Sequence, residues 1–269
     1  MNVVDRDTVL CISLAARPGN HGNRFHNFLY AELGLNVLYK SFSSSDIGAT
    51  IGGVRSLGIR GVSVSMPYKE SCIPFLDALD ASAAAIDSVN TIVNDQGVLT
   101  GSNTDYLAVR TLLADVPRGP FALRGSGGMA KAVLAALVDS GFTDGVVVAR
   151  NEPAGRALAE RYGVGWSATA PAPGEASVLL NATPVGMAGG PDADGLPFPA
   201  EVVAGARAVV EAVQQPVRTP LVALAEAGGA TVVRGSEIMR LQALEQFVRY
   251  TGVRPTDEQV ERAEEYASA

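Results

Sequence analysis

The chain has 269 residues, a length that accommodates two modest domains or one large one. At 47% hydrophobic and 18% charged it has the composition of a globular protein rather than a disordered one, and a net charge of −7 argues against broad electrostatic attraction to nucleic acid. No apolar run approaches the roughly 20 residues that span a bilayer, and the segment Met1–Asp7 lacks the basic region and long apolar core of a secretion signal; a cytoplasmic protein with no membrane partner is expected.

In chain order, Val9–Ala15 reads as a buried strand, residues 23–33 as a helix stopped near Gly34, Val37–Phe42 as a strand, and 45–56 as a helix with Ser and Asp at its start. Gly61–Met66 predicts a third strand, running into Pro67 and a helix to about residue 80. Ser88–Val93 and Val98–Ser102 flank Asn94-Asp95-Gln96-Gly97, the pattern of a hairpin. A helix after Asp105 leads into a second unit. Its strands fall near 121–123, 145–149, 177–180, 207–213 and 230–233, and its helices at 129–140, 153–162 and 219–228. The Pro/Gly-rich segments 167–174 and 188–199 read as surface loops, and 236–250 and 256–268 as terminal helices, the last introduced by Pro255-Thr256-Asp257. Alternating strands and helices over both halves predict an α/β protein of two units, with parallel sheets covered by helices and a ligand cleft between the units.

The most specific stretch is Arg124-Gly125-Ser126-Gly127-Gly128-Met129-Ala130, between the apolar run Phe121–Leu123 and an Ala/Leu/Val-rich helix. Strand, glycine turn and helix is the order a dinucleotide pyrophosphate requires. Gly125 takes the tight turn, Gly127 lets backbone N–H groups near the phosphates, and Ala130 is the small residue where helix meets strand. The helix dipole then faces the ligand's negative charge. The next strand, Gly145–Ala149, ends in Arg150 instead of an acidic residue. Arg suits the 2′-phosphate of NADP, whereas Asp or Glu would suit the ribose 2′-hydroxyl of NAD. Asn151 and Arg156 are weaker candidates beside it. Cys11 and Cys72 lie in apolar surroundings without metal-ligand spacing and read as packed thiols, and His21 and His26 lack metal-ligand company, so no metal is expected.

Phe25-His26-Asn27, Ser65-Met66-Pro67-Tyr68-Lys69, Ser88-Val89-Asn90-Thr91, Asn103-Thr104-Asp105, the glycine turn, Asn181-Ala182-Thr183-Pro184-Val185-Gly186-Met187 and Gly235 through Gln242-Ala243 are each modest signals. Their order and spacing resemble the shikimate dehydrogenase family over nearly the whole chain, and most closely a divergent shikimate dehydrogenase-like branch. The resemblance implies an N-terminal substrate domain, 1–104 completed by 237–269, and an NADP-binding Rossmann domain, 105–236. It implies interconversion of shikimate and 3-dehydroshikimate or a close relative, as part of aromatic amino acid biosynthesis, by a monomer or homodimer. The biosynthetic pattern places Ser-x-Ser before the His-Asn pair to hold the substrate carboxylate; those positions here are Asn20 and Gly22. The family's Asn-Val-Thr strand has Ser63 and Ser65 at its Asn and Thr, and a tyrosine before Pro-x-x-Thr-Pro is Gln214.

Lys69 and Asp105 are the candidate catalytic pair. Oxidising a secondary alcohol removes a hydride from carbon and a proton from oxygen; a Lys beside the hydroxyl shuttles the proton or stabilises the oxyanion, and Asp105 accepts a hydrogen bond from that hydroxyl. In an isolated sequence Lys69 also suits a solvated first helical turn, and Asp105 an N-cap. By resemblance Asn90 and Gln242 bind ring hydroxyls; Asn90 equally suits a hairpin, and Gln242 a helix surface. Arg17 or Asn20 is expected to replace the missing serines at the carboxylate, against the alternative that Arg17 orders its own loop. Asn181, Thr183 and Pro184 follow an apolar strand, where a Rossmann fold meets the nicotinamide, and Gly186, Met187 and Gly235 would let backbone approach the ring. His26 beside Asn27 reads as a structural histidine sooner than an acid or base. Two functions stay open: an NADP-dependent dehydrogenase of a cyclic hydroxy acid, and an NADP-binding sensor with a vestigial site.

Overall fold

The computed structural model describes residues 4–269; Met1–Val3, part of the segment read for a secretion signal, lie outside the described residues. The chain divides into two compact units, one running to Thr104 and resuming over Arg240–Ala269, the other Asp105–Met239. Among the described residues no helix is long and apolar enough to cross a membrane.

The first unit begins with β1 (Val9–Leu14), α1 (His21–Glu32), β2 (Val37–Phe42), α2 (Ile47–Ser56), β3 (Gly61–Val64), α3 (Tyr68–Ser71), β4 (Ala78–Leu79), α4 (Ala81–Ala84), β5 (Thr91–Asp95) and β6 (Val98–Ser102). Its sheet runs β2-β1-β3-β5-β6-β4. The sheet is mixed, where the alternation of strands and helices predicted a parallel one: β1 is parallel to β2 and β3, but β5 is antiparallel to both β3 and β6. The hairpin is the cause. Asp95 pairs with Val98, leaving Gln96 and Gly97 as a two-residue turn with φ of 50° and 92°, the backbone of a tight primed turn that reverses the strand.

The helix expected from Pro67 to about residue 80 is also corrected. It ends at Ser71, a 3₁₀ turn holds Ile73–Phe75, and the chain re-enters the sheet as β4. Pro74 supplies no helical N–H, and Asp77 is tied to β6 instead: its N–H donates to the Leu99 carbonyl at 3.0 Å and its carboxylate accepts from the Leu99 N–H at 2.7 Å.

The second unit contains α5 (Thr104–Leu112, whose first residue closes the first unit), β7 (Phe121–Arg124), α6 (Gly128–Asp139), β8 (Gly145–Val148), α7 (Glu152–Tyr162), β9 (Gly165–Ser167), β10 (Val178–Asn181), α8 (Ala200–Ala204), β11 (Ala208–Glu211), α9 (Pro220–Ala227) and β12 (Thr231–Val233). Its sheet, β12-β11-β10-β7-β8-β9, is parallel throughout. That is the doubly wound order in which the first strand of the unit sits mid-sheet beside the fourth, with a ligand crevice at the carboxyl ends of the strands. Strand β9 and helix α8 were not foreseen. The chain closes with α10 (Gly235–Thr251) and α11 (Asp257–Ser268).

Strand alternation sorts the first unit's core into two faces. Cys11 joins Phe25, Tyr30 and Tyr39 with Phe247, Tyr250 and Val260 from the last two helices; Ile12 and Leu14 join Ile51, Val54, Val62, Ile92 and Leu99. In the second unit Ala122, Leu179 and Val209 pack with Val202, Val203 and Leu221 from α8 and α9. Both cysteines are free and buried, and burial pushes the Cys11 thiol up to about 11 and Cys72 up to about 12, as packed thiols should behave.

Candidate active site

In the first unit the polar candidates gather where β3 ends and β5 begins. The Val64 N–H donates to the Asn90 carbonyl at 2.7 Å, and the Val89 N–H to the Lys69 carbonyl at 2.8 Å. The half-buried Lys69 is thereby fixed beside the segment that carries Asn90. Asn90 is 2% exposed. Its Oδ1 accepts from the Thr104 N–H and the Thr91 hydroxyl, both at 2.8 Å, and from the Thr104 hydroxyl at 3.2 Å. Its Nδ2 donates to Gln242 Oε1 over a long 3.5 Å. The hairpin and ligand readings of Asn90 thus divide between its two ends: the oxygen holds backbone, and the amide NH₂ is only loosely engaged. Asp105 is buried in the first turn of α5, one residue beyond Thr104.

Sequence reasoning missed the side chains that shape this end. Gln246 is 2% exposed, with its amide nitrogen 3.2 Å from Ser63 Oγ, 3.2 Å from the Asn90 carbonyl and 3.1 Å from Thr91 Oγ1. The buried Tyr39 phenol lies close to Ser63 and Ser13, and burial holds its pKa well above the ordinary value, with those two hydroxyls opposing. Gly22, one of the two positions where the resemblance places serine, leaves room that this phenol takes: a Cβ there would lie 3.4 Å from Tyr39 Oη. Asn27 holds Tyr39 by its backbone, accepting from its N–H and donating to its carbonyl, both at 2.8 Å. The signal for Tyr39 was present only as a tyrosine in a strand; nothing local ties it to Gly22 or Ser63.

Arg17, Asn20 and Ser65 are exposed. Arg17 follows Ala16, whose N–H donates to the Met66 carbonyl at 3.1 Å, and so begins a loop beside the Ser65–Pro67 segment. The histidines are structural in surroundings. His21 pairs with Glu264 at 3.0 Å. His26 is 1% exposed, stacks on Tyr39 with 4.4 Å between ring centroids, and is pushed down to about 3, by burial first and then by the nearby His21. Among the described residues no group of His, Cys, Asp or Glu could hold a metal ion.

In the second unit the glycine turn has the form its spacing predicts. Gly125 has φ +124°, and a Cβ there would meet the Ala182 carbonyl at 2.9 Å, so only glycine fits. Around Gly127 and Gly128 a Cβ would meet no protein atom. Gly127 is the N-cap of the twelve-residue α6 without a side-chain cap, leaving the first-turn N–H groups facing that open space, while Ala130 is fully buried on the strand side. Ser126 and Met129 are half-buried in the same turn. This cradle fits a dinucleotide pyrophosphate.

The loop after β10 is built from within. Asn181 Oδ1 accepts from the Thr183 hydroxyl at 2.6 Å and its N–H at 3.1 Å, while Nδ2 donates to the Val185 carbonyl at 3.1 Å and to Glu211 Oε1 at 2.9 Å. Glu211 is fully buried, accepts also from the Val213 N–H and the Thr219 hydroxyl, each at 2.9 Å, and is pushed up to about 7 by burial, its hydrogen bonds opposing. Asn181 therefore shapes the loop with its whole side chain; Thr183 is half-buried and Pro184 exposed on it. Gly235 owes its identity to packing: a Cβ would lie 2.1 Å from the Val213 carbonyl. Arg150 is exposed at the end of β8. Asn151 caps α7, accepting from the Ala154 N–H at 3.2 Å, and Arg156 pairs with Glu152 at 2.8 Å and lies 4.1 Å over the Trp166 ring.

The family model of the shikimate dehydrogenase substrate binding domain matches residues 22–92. A shikimate dehydrogenase-like protein of Haemophilus influenzae is 46% identical over 98% of both chains. The shikimate dehydrogenase (NADP(+)) of Thermococcus kodakarensis is 36% identical over 86% of both. The crystal structure of shikimate 5-dehydrogenase from Thermus thermophilus, in complex with NADP(H) and shikimate, is 30% identical, covers 96% of this chain and 99% of its own, and superposes with a TM-score of 0.84. The substrate-side polar cluster, the glycine cradle and these likenesses agree: the chain belongs to the shikimate dehydrogenase family, in its shikimate dehydrogenase-like branch.

Proposed function

We propose that this chain is an NADP-dependent oxidoreductase that interconverts a cyclic hydroxy acid and its ketone, shikimate and 3-dehydroshikimate or a close relative. The first unit is the substrate domain and the second the NADP domain. The observation that carries the reading is the Asn90 amide: its oxygen is saturated by Thr91 and Thr104, while its NH₂ reaches Gln242 over a stretched 3.5 Å that a ligand hydroxyl can enter.

The cradle at Gly125–Ala130, Arg150 and the Thr183–Pro184 loop hold the dinucleotide. When bound, the nicotinamide supplies the hydride acceptor. Lys69 stabilises negative charge on the carbinol oxygen and moves its proton, and Asp105 accepts a hydrogen bond from that hydroxyl. Asn90 and Gln242 orient the other ring hydroxyls. Ser63, Ser65 and the Arg17–Asn20 loop face the carboxylate. NADP reduction by the purified chain with shikimate, quinate and related cyclic acids tests the proposal. Turnover of at least one acid is the expected result; NADPH binding without turnover of any would replace it with a sensor.

A further inference from the structure

Arg124 ends β7 directly before the first glycine of the turn, and its strand partner Val148 lies two residues before Arg150. Both arginines line one cavity of about 400 Å³, floored by Thr183, Pro184 and Val185 of the loop after β10. Two guanidinium groups at one cavity repel each other, and such an arrangement normally holds a carboxylate to offset the charge. Here Asp192 lines the same cavity, yet among the described residues neither Arg124 nor Arg150 forms an ion pair with it or with any other carboxylate. Arg124 is half-buried, and its pKa is lowered by burial and then by the charge of Arg150. This is a cationic cavity, with neither guanidinium ion-paired among the described residues, that suits an anion from outside the chain.

The position says which anion. The pyrophosphate cradle lies past Arg124 at the start of α6, whereas the end of β8 is where a dinucleotide fold receives the adenosine ribose. A phosphate monoester at that ribose carries close to two negative charges and several acceptor oxygens, which two forked guanidinium groups match. We propose that Arg124 is a second phosphate-binding residue that clamps the 2′-phosphate of NADP together with Arg150 and sets the preference for NADP over NAD. The inference rests on the NADP-dependent reading above and adds to it a residue directly before the glycine turn that the general fingerprint does not assign to the phosphate.

The test is calorimetric binding of 2′,5′-ADP and of 5′-AMP to the full chain, with NADPH and NADH titrations alongside. Arg124→Met should weaken 2′,5′-ADP and NADPH by about 10- to 100-fold, the worth of a lost charge-assisted contact, with 5′-AMP and NADH held within about twofold. Arg124→Lys should recover part of the loss. Equal weakening of 2′,5′-ADP and 5′-AMP would assign Arg124 a purely structural role and overturn the proposal, as would no weakening of either. Arg150→Met separates the two levels of the argument. If it discriminates the ligands and Arg124→Met does not, only the clamp fails; if neither does, the NADP reading of the cavity fails with it.

Discussion

The two units treat the polar groups at their candidate ligand sites in opposite ways, although the Asn181–Glu211 loop of the second is also satisfied from within. In the first, the Asn90 oxygen and the side chains of Thr91, Thr104, Gln246 and Ser63 largely satisfy one another, leaving the Asn90 NH₂ as the loosely held group. In the second, the helix N-terminus opens onto empty glycine space and two arginines share a cavity without a counter-ion. A largely pre-satisfied network favours orientation of a small acid's ring hydroxyls, where a misplaced hydroxyl costs rate. An unsatisfied one favours affinity for a large anion. Damage at the Lys69 and Asn90 end of the first unit should therefore appear in kcat and damage to the second in cofactor binding.

The largest expected effect breaks the comparison if it goes the wrong way. Lys69→Ala should lower kcat by about 10²- to 10⁴-fold while the NADPH dissociation constant stays unchanged by fluorescence titration. A matching loss of NADPH affinity would mean that the two sites are not separable in this manner. Gly125→Ala should do the reverse. It forces a Cβ toward the Ala182 carbonyl at a φ of +124°, so it should cost about 1–3 kcal/mol in unfolding free energy and weaken NADPH at least about tenfold, with the KM for the acid little altered at saturating cofactor.

Acidity sharpens the contrast, because the units carry buried titrating groups of opposite sign. His26 falls from the usual 6.5 to about 3, through burial. Between those values the unfolded chain binds more protons, so the stability His26 contributes is intact above about 6.5 and is lost as pH falls toward 3. Glu211 rises from 4.5 to about 7, also through burial. There the folded chain binds more protons, so its contribution is present below about 4.5 and is lost as pH rises through 7. Hydrogen exchange read by mass spectrometry should show the first unit loosening and the second tightening as pH drops from about 7.5 to about 5, on the order of 1 kcal/mol per pH unit. Glu211→Gln should flatten the response of the second unit alone. The smallest effect concerns the carboxylate: Arg17→Ala should raise the KM of the true acid by about three- to tenfold and lower kcat less, and an unchanged KM would leave Arg17 as a loop residue.

Much of this was legible in the chain itself. The glycine turn, the hairpin and the strand that ends in Arg150 all announce themselves through residues close in sequence, where backbone conformation is decided locally. Gln246 and Tyr39 did not, since they reach Ser63 from α10 and β2 and only tertiary packing brings them there. The helix extended through Pro74 failed for the same reason: Asp77 finds its partner on β6, which no local period reveals. Strand β9 is three residues at the edge of its sheet, held by pairing with β8 and by Trp166 packing over Gly155.

The interruption of the first unit by the second has a consequence for biosynthesis. Phe25, Tyr30 and Tyr39 are covered by Phe247, Tyr250 and Val260, which the ribosome adds only after residues 105–239 are complete. The second unit can mature as an uninterrupted segment, while its older neighbour waits with an uncovered aromatic face. Such a nascent chain is most prone to aggregation during that interval, and a ribosome stalled before residue 240 would strand it there.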